Sequence, residues 1–102
     1  MKVTTTGLKY ELASLEGGTP QTLQFIEKVP ASEGSKELVT VNDGTTNEEV
    51  LAVLIDRLKY LNGKFPCTEN ALVITKLEES LMWLNKRTAD RIARNVDGKA
   101  TA

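Results

Sequence analysis

Apolar and polar side chains alternate one by one through the first forty-odd residues, then switch to a spacing of three and four. Leu8, Tyr10 and Leu12 fall on one face of an extended segment, with Lys9 and Glu11 on the other. That is the period of two required of a half-buried strand. Glu16-Gly17-Gly18-Thr19-Pro20 predicts a turn, because glycine reaches positive φ and Pro20 has no amide to give a ladder. A second strand is expected over residues 22–29, with Leu23 and Phe25 on one face and Ile26 on the other. The polar stretch 30–35 predicts a loop, and residues 37–41 a short third strand closed by Asn42-Asp43-Gly44. The N-terminal element is therefore expected to be a small antiparallel β-meander.

From Thr45 the period is helical. Thr46-Asn47-Glu48-Glu49 has the form of a capping box, a hydroxyl followed three residues later by a glutamate. Val50, Leu51, Leu54, Ile55, Leu58 and Leu61 make one wide apolar stripe. Asn62-Gly63 is expected to stop this helix, with Gly63 taking the left-handed cap and Pro66 following. A second helix should begin near Thr68 and run to about Asn95, ahead of Asp97-Gly98. In it Ile74, Leu77, Leu81 and Leu84 alternate at three and four, a coiled-coil-like seam. The short connection folds the two helices into an antiparallel hairpin. The predicted class is α+β, one domain over 1–102, with the β-meander in 1–44 and the helical hairpin in 45–102.

The expected lengths, about 16 and 27 residues, correspond to roughly 24 Å and 40 Å. The first helix cannot cover the second. Met82 and Trp83 also lie off the seam, so the second helix carries apolar surface on more than one side, as contact surfaces do. Either the sheet of the same chain covers that surface, or a second copy does.

Composition narrows the function classes. The chain has 102 residues, 40% hydrophobic and 26% charged, which suits a small soluble domain. Thirteen Lys+Arg against fourteen Asp+Glu leave a net charge of −1, against the basic excess of a protein that coats DNA or RNA. With no histidine and one cysteine, Cys67, His-based acid–base chemistry, most zinc sites and an internal disulfide are ruled out. The lone thiol suits a reducing cytosol. There is no long apolar run, and Met1-Lys2-Val3-Thr4-Thr5-Thr6 lacks a signal peptide's apolar stretch. A cytosolic protein without catalytic, metal or cofactor sites is expected.

Few residues suggest binding chemistry. Gly17-Gly18 lacks the spacing of a phosphate loop, and Cys67 and Ser80 have no base to activate them. Arg87, Arg91 and Arg94, at spacings of four and three, are expected on one face near the end of the second helix. They either complement the helix dipole, with Asp90 pairing to Arg94 or Arg87, or bind an anion through the guanidinium fork. At the other end, Tyr60 offers either a stacking surface or a core ring. Thr68-Glu69-Asn70 opens the second helix, where first-turn amides are free to meet an anion. Asn70 can cap that helix, or pair with a base edge through its donor and acceptor.

Residues 43–99 resemble a known family. Thr46-Asn47-Glu48-Glu49, Leu54-Ile55-Asp56-Arg57-Leu58 and Phe65-Pro66-Cys67-Thr68-Glu69-Asn70-Ala71 are similar to the helical-hairpin domain of phage cyclic-nucleotide sponges. So are the run from Ile74 to Leu84, then Arg87-Thr88-Ala89-Asp90-Arg91 and Asn95-Val96-Asp97-Gly98. Such proteins sequester signals of the bacterial Thoeris and CBASS immune systems. The strands before the hairpin resemble the anti-Thoeris branch, whereas the anti-CBASS branch has a helix there. The resemblance implies a non-enzymatic phage protein of the host cytoplasm. It would bind a cyclic ADP-ribose isomer, or a cyclic di- or trinucleotide, without cleaving it. It also implies a homo-oligomer built from dimers, up to a hexamer. The family's ligand-contacting aromatic, asparagine and arginine fall on Tyr60, Asn70 and Arg87. This chain departs from the pattern with Asn95 where glycine is common. It also lacks an N-terminal arginine for phosphate, a role open to Lys9 or Lys28.

Asn70 and Arg87 are seventeen positions apart in the sequence, roughly 25 Å along one helix. A single small ligand touching both needs two chains, paired antiparallel about a two-fold axis, which yields two sites per dimer. An alternative from another class is a small oligomeric helical module docking on a host protein through Met82 and Trp83. A DNA-binding regulator is disfavoured, since the link 62–67 is longer than a helix-turn-helix turn and the basic residues sit at the wrong end for groove entry.

Overall fold

In the computed structural model, which describes residues 1–95 and Lys99, strands fill the first part of the chain and two helices the second. The chain divides into the units Met1–Thr46 and Asn47–Ala102. In the first, β1 (Lys2–Thr5), β2 (Lys9–Leu12) and β3 (Gln21–Gln24) form an antiparallel sheet in the order β1-β2-β3. Val3 stands opposite Tyr10, and Tyr10 opposite Leu23. A separate antiparallel pair is made by β4 (Glu27–Pro30) and β5 (Leu38–Asn42), with Val29 opposite Val39. The alternation thus locates real strands. It misses β1, whose only strongly apolar residue is Val3; the β-branched run Val3-Thr4-Thr5 was the available signal.

The single strand expected over 22–29 is broken into β3 and β4. The cause lies in where the backbone amides go. Phe25 N–H donates to the carbonyl of Leu8 at 2.7 Å, but Ile26 N–H turns to Thr45, whose own N–H donates to Gln24. The chain therefore leaves one ladder at Phe25 and makes a parallel bridge to Thr45. Gly44 makes this crossing possible: a Cβ there would lie 2.5 Å from the Phe25 carbonyl carbon and 2.7 Å from Ile26 N. Phe25 also meets Tyr10 edge to face, with ring centroids 6.0 Å apart.

The second unit is the helical hairpin, α1 (Asn47–Lys64) against α2 (Thr68–Ala93). Ile55 and Ile74 are its buried apolar residues among those described. Leu51 and Leu58 of α1, and Leu77, Leu81 and Leu84 of α2, are half-buried along the seam. Lys59 pairs with Glu78 across it at 3.2 Å. The stripe on α1 is narrower than its sequence suggests, since Leu54 remains 43% exposed. Met82 and Trp83 stand off the seam and are exposed, as their spacing requires.

The expected stop at Asn62-Gly63 does not occur. Gly63 is helical without a positive φ, and α1 runs on to Lys64, so the break comes just before Pro66, where a helical conformation is disfavoured. At the other end α2 closes at Ala93, with Arg94 N–H donating to Asp90 O and Asn95 in the left-handed region at φ 58°. Asparagine is the residue that best replaces glycine in that conformation. Val96, Asp97 and Gly98 of the resembling motif lie outside the described residues.

Candidate functional site

The turn between the helices is held by side chains rather than by glycine. Asn62 Oδ1 accepts the Cys67 N–H at 3.0 Å, and Cys67, extended at φ −152° and ψ 157°, is the N-cap of α2. Its Sγ accepts the Asn70 N–H at 3.4 Å, while the Ala71 N–H begins the helical ladder by donating to Cys67 O. Capping therefore falls to Cys67, and the side chain of Asn70, half-buried at the third helical position, is left for other work. Thr68 is exposed as the first residue of α2, where the first-turn amides lack carbonyl partners within the helix.

Tyr60 is 53% exposed on the last turn but one of α1, so it is a surface ring and not a core ring. Lys64 Nζ sits 4.6 Å from the centre of that ring. A cation over an aromatic face polarises it and leaves the opposite face for stacking. Sequence reasoning missed Lys64, although its spacing of four from Tyr60 on one helix was the signal. The end of α1 thus carries an aromatic face and an ammonium, and the start of α2 an amide side chain and first-turn amides. Groups of these kinds can stack on bases and meet anions.

The three arginines separate. Arg91 extends the seam Ile74, Leu77, Leu81, Leu84, Thr88 by three, so it turns inward; it is 6% exposed and its Nη2 donates to the Lys99 carbonyl at 2.7 Å. The expectation that all three share one face is corrected accordingly. Arg87 and Arg94, seven apart, line one shallow depression with Trp83, Lys86 and Asp90. Trp83 Nε1 reaches Glu79 at 3.5 Å, and Asp90 pairs with Lys86 at 2.8 Å. Arg87 is exposed and makes no ion pair among the described residues. Because α2 is continuous from Thr68 to Ala93, the roughly 25 Å between Asn70 and Arg87 stands. One chain does not bring them together.

Among the described residues no group of three His, Cys, Asp or Glu is placed to hold a metal ion. No described helix is long and apolar enough to cross a membrane.

Two comparisons bear on this arrangement. The family model described as "Acb2/Tad1, hairpin domain" matches residues 21–89, which takes in β3, β4 and β5 as well as α1 and most of α2. A curated relative, Thoeris anti-defense 1 of Bacillus phage SBSphiJ7, is 46% identical over 84 aligned residues, covering 71% of this chain. The chain spans 59% of that relative's length.

Proposed function

This chain belongs to the Acb2/Tad1 hairpin-domain family, and on that footing we propose that it is a phage protein that binds and withholds a nucleotide signal of the bacterial Thoeris system. The observation that carries the reading is the 46% identity to a phage protein named for anti-Thoeris activity. The signal is a cyclic ADP-ribose isomer, with cyclic di- and trinucleotides of CBASS as further candidate ligands. Tyr60 stacks on the base, Asn70 bonds its edge, and Arg87 of a second chain holds the phosphates, with Arg94, Arg91 and the amide at Thr68 as further anion contacts. Arg91 reaches ligand only by giving up its bond to Lys99. The exposed Tyr60 ring, and an Arg87 that makes no ion pair among the described residues, support these assignments. The action is sequestration in the host cytoplasm and not catalysis.

Thermal unfolding with a panel of cyclic ADP-ribose isomers and cyclic oligonucleotides tests the proposal. A true ligand at a thousand times its Kd is expected to add about 4 kcal/mol of stability. Chromatography of ligand released by heating should recover it intact. No stabilisation by any panel member would refute nucleotide binding, and a hydrolysed product above the protein-free control would refute sequestration without cleavage.

The exposed Met82 and Trp83 surface is assigned to self-association. The sedimenting species at micromolar concentration should then exceed the 11.2 kDa of one chain. A monomer that becomes larger only with a host protein would favour the alternative, a helical docking module.

A further inference from the structure

The two tip residues assigned to the base, Tyr60 and Asn70, belong to different helices; the seam packs those helices together, and the turn that joins them carries two side-chain hydrogen bonds. Asn62, two residues after Tyr60 on the same helical turn, accepts the Cys67 amide at 3.0 Å. Cys67 in turn accepts the Asn70 amide at 3.4 Å. The path from the end of α1 to Asn70 thus runs through two consecutive non-covalent links. Asn62 is half-buried while residues 63–69 are all exposed. The connecting segment therefore has little apolar packing to hold it, and Pro66 offers no amide for a backbone turn.

We infer that Asn62 is a positioning residue that presets the hairpin tip for ligand by clamping the start of α2 through Cys67. This inference rests on the proposed assignment of Tyr60 and Asn70 to the ligand. Without the Asn62 acceptor, the Cys67 amide turns to water. The N-cap then samples other conformations, and binding must first order the tip again. Affinity falls by the fraction of time the tip is correctly formed. Loss of one such hydrogen bond corresponds to roughly a fivefold to tenfold drop.

Asn62→Asp keeps an oxygen at the acceptor position, Asn62→Ala removes it, and Asn62→Gln displaces it by one methylene. Each variant is examined as the full chain by amide hydrogen exchange without ligand, by melting temperature, and by titration with a synthetic cyclic ADP-ribose isomer. For Asn62→Ala and Asn62→Gln, exchange at Cys67 and Asn70 should rise about tenfold and affinity should fall about fivefold to tenfold, out of proportion to a small change in melting temperature. Asn62→Asp should restore both. The clamp is overturned if Asn62→Ala leaves exchange at Asn70 and affinity at wild-type values, or if Asn62→Asp fails alongside it. Should the wild-type chain bind no isomer, the functional reading fails while the exchange measurement still decides the clamp.

Discussion

Refolding a Tyr60→Ala chain together with an Arg87→Ala chain is expected to restore ligand binding that neither variant shows alone. Either substitution removes a contact of the kind that dominates small interfaces, with an expected loss of at least about thirtyfold in affinity. The expectation follows from the helix. Asn70 and Arg87 sit on one unbroken α2, and roughly 25 Å of rigid backbone separates them. A ligand smaller than that distance meets the tip of one chain and the arginine of another. In an antiparallel dimer each heterodimer keeps one intact site, made of Tyr60 from the Arg87→Ala chain and Arg87 from the Tyr60→Ala chain. Random mixing makes about half the dimers hetero, so titration should find about a quarter of the wild-type capacity, at wild-type affinity. Zero capacity, with heterodimers shown to form, would place each site within a single chain.

Substituting Gly44 by alanine should be the most damaging single change in the sheet unit. The added methyl would sit 2.5 Å from the carbonyl carbon of Phe25 and 2.7 Å from two further backbone atoms. Backbone cannot swing aside as a flexible side chain does. The crossing of residues 24–26 with Thr45 must open or the turn must move, at a cost of about 3 kcal/mol. That is a large part of the stability of an ordinary domain. Urea unfolding, with amide exchange at Ile26 and Thr45, measures it. An unchanged midpoint with both amides still protected would show that the segment yields more easily than its geometry indicates.

Residue spacing made the helical hairpin legible because helical burial repeats along a single element. The interval of three and four from Ile74 to Leu84 recurs as the observed seam, and Met82 and Trp83 are exposed for the same reason. Where a local rule met a longer-range partner, the rule failed. Gly63 looked like a left-handed cap, yet Asn62 satisfies an amide five residues on and α1 continues. Residues 22–29 alternated like one strand, yet the Ile26 amide is drawn to Thr45, nineteen positions away, and the strand breaks. Of the candidate site, Tyr60, Asn70 and Arg87 could be picked out through family resemblance. Their surroundings could not. That Lys64 covers the Tyr60 ring, that Cys67 rather than Asn70 caps α2, and that Arg91 turns inward to the Lys99 carbonyl each depend on side-chain direction.

The order of pairing has a further consequence. β1 pairs with β2, β2 with β3, β4 with β5 and α1 with α2, so each of these pairings joins elements adjacent in the chain. The parallel bridge from Phe25 to Thr45 reaches farther, but still closes within the first 46 residues. Chains dominated by such near-neighbour contacts fold in roughly milliseconds or less, since little loop entropy is lost before contacts form. Translation proceeds at only about 5–20 residues per second. The strand-rich unit therefore has time to form while α2 is still being synthesised, and the hairpin can close as soon as its second helix leaves the ribosome.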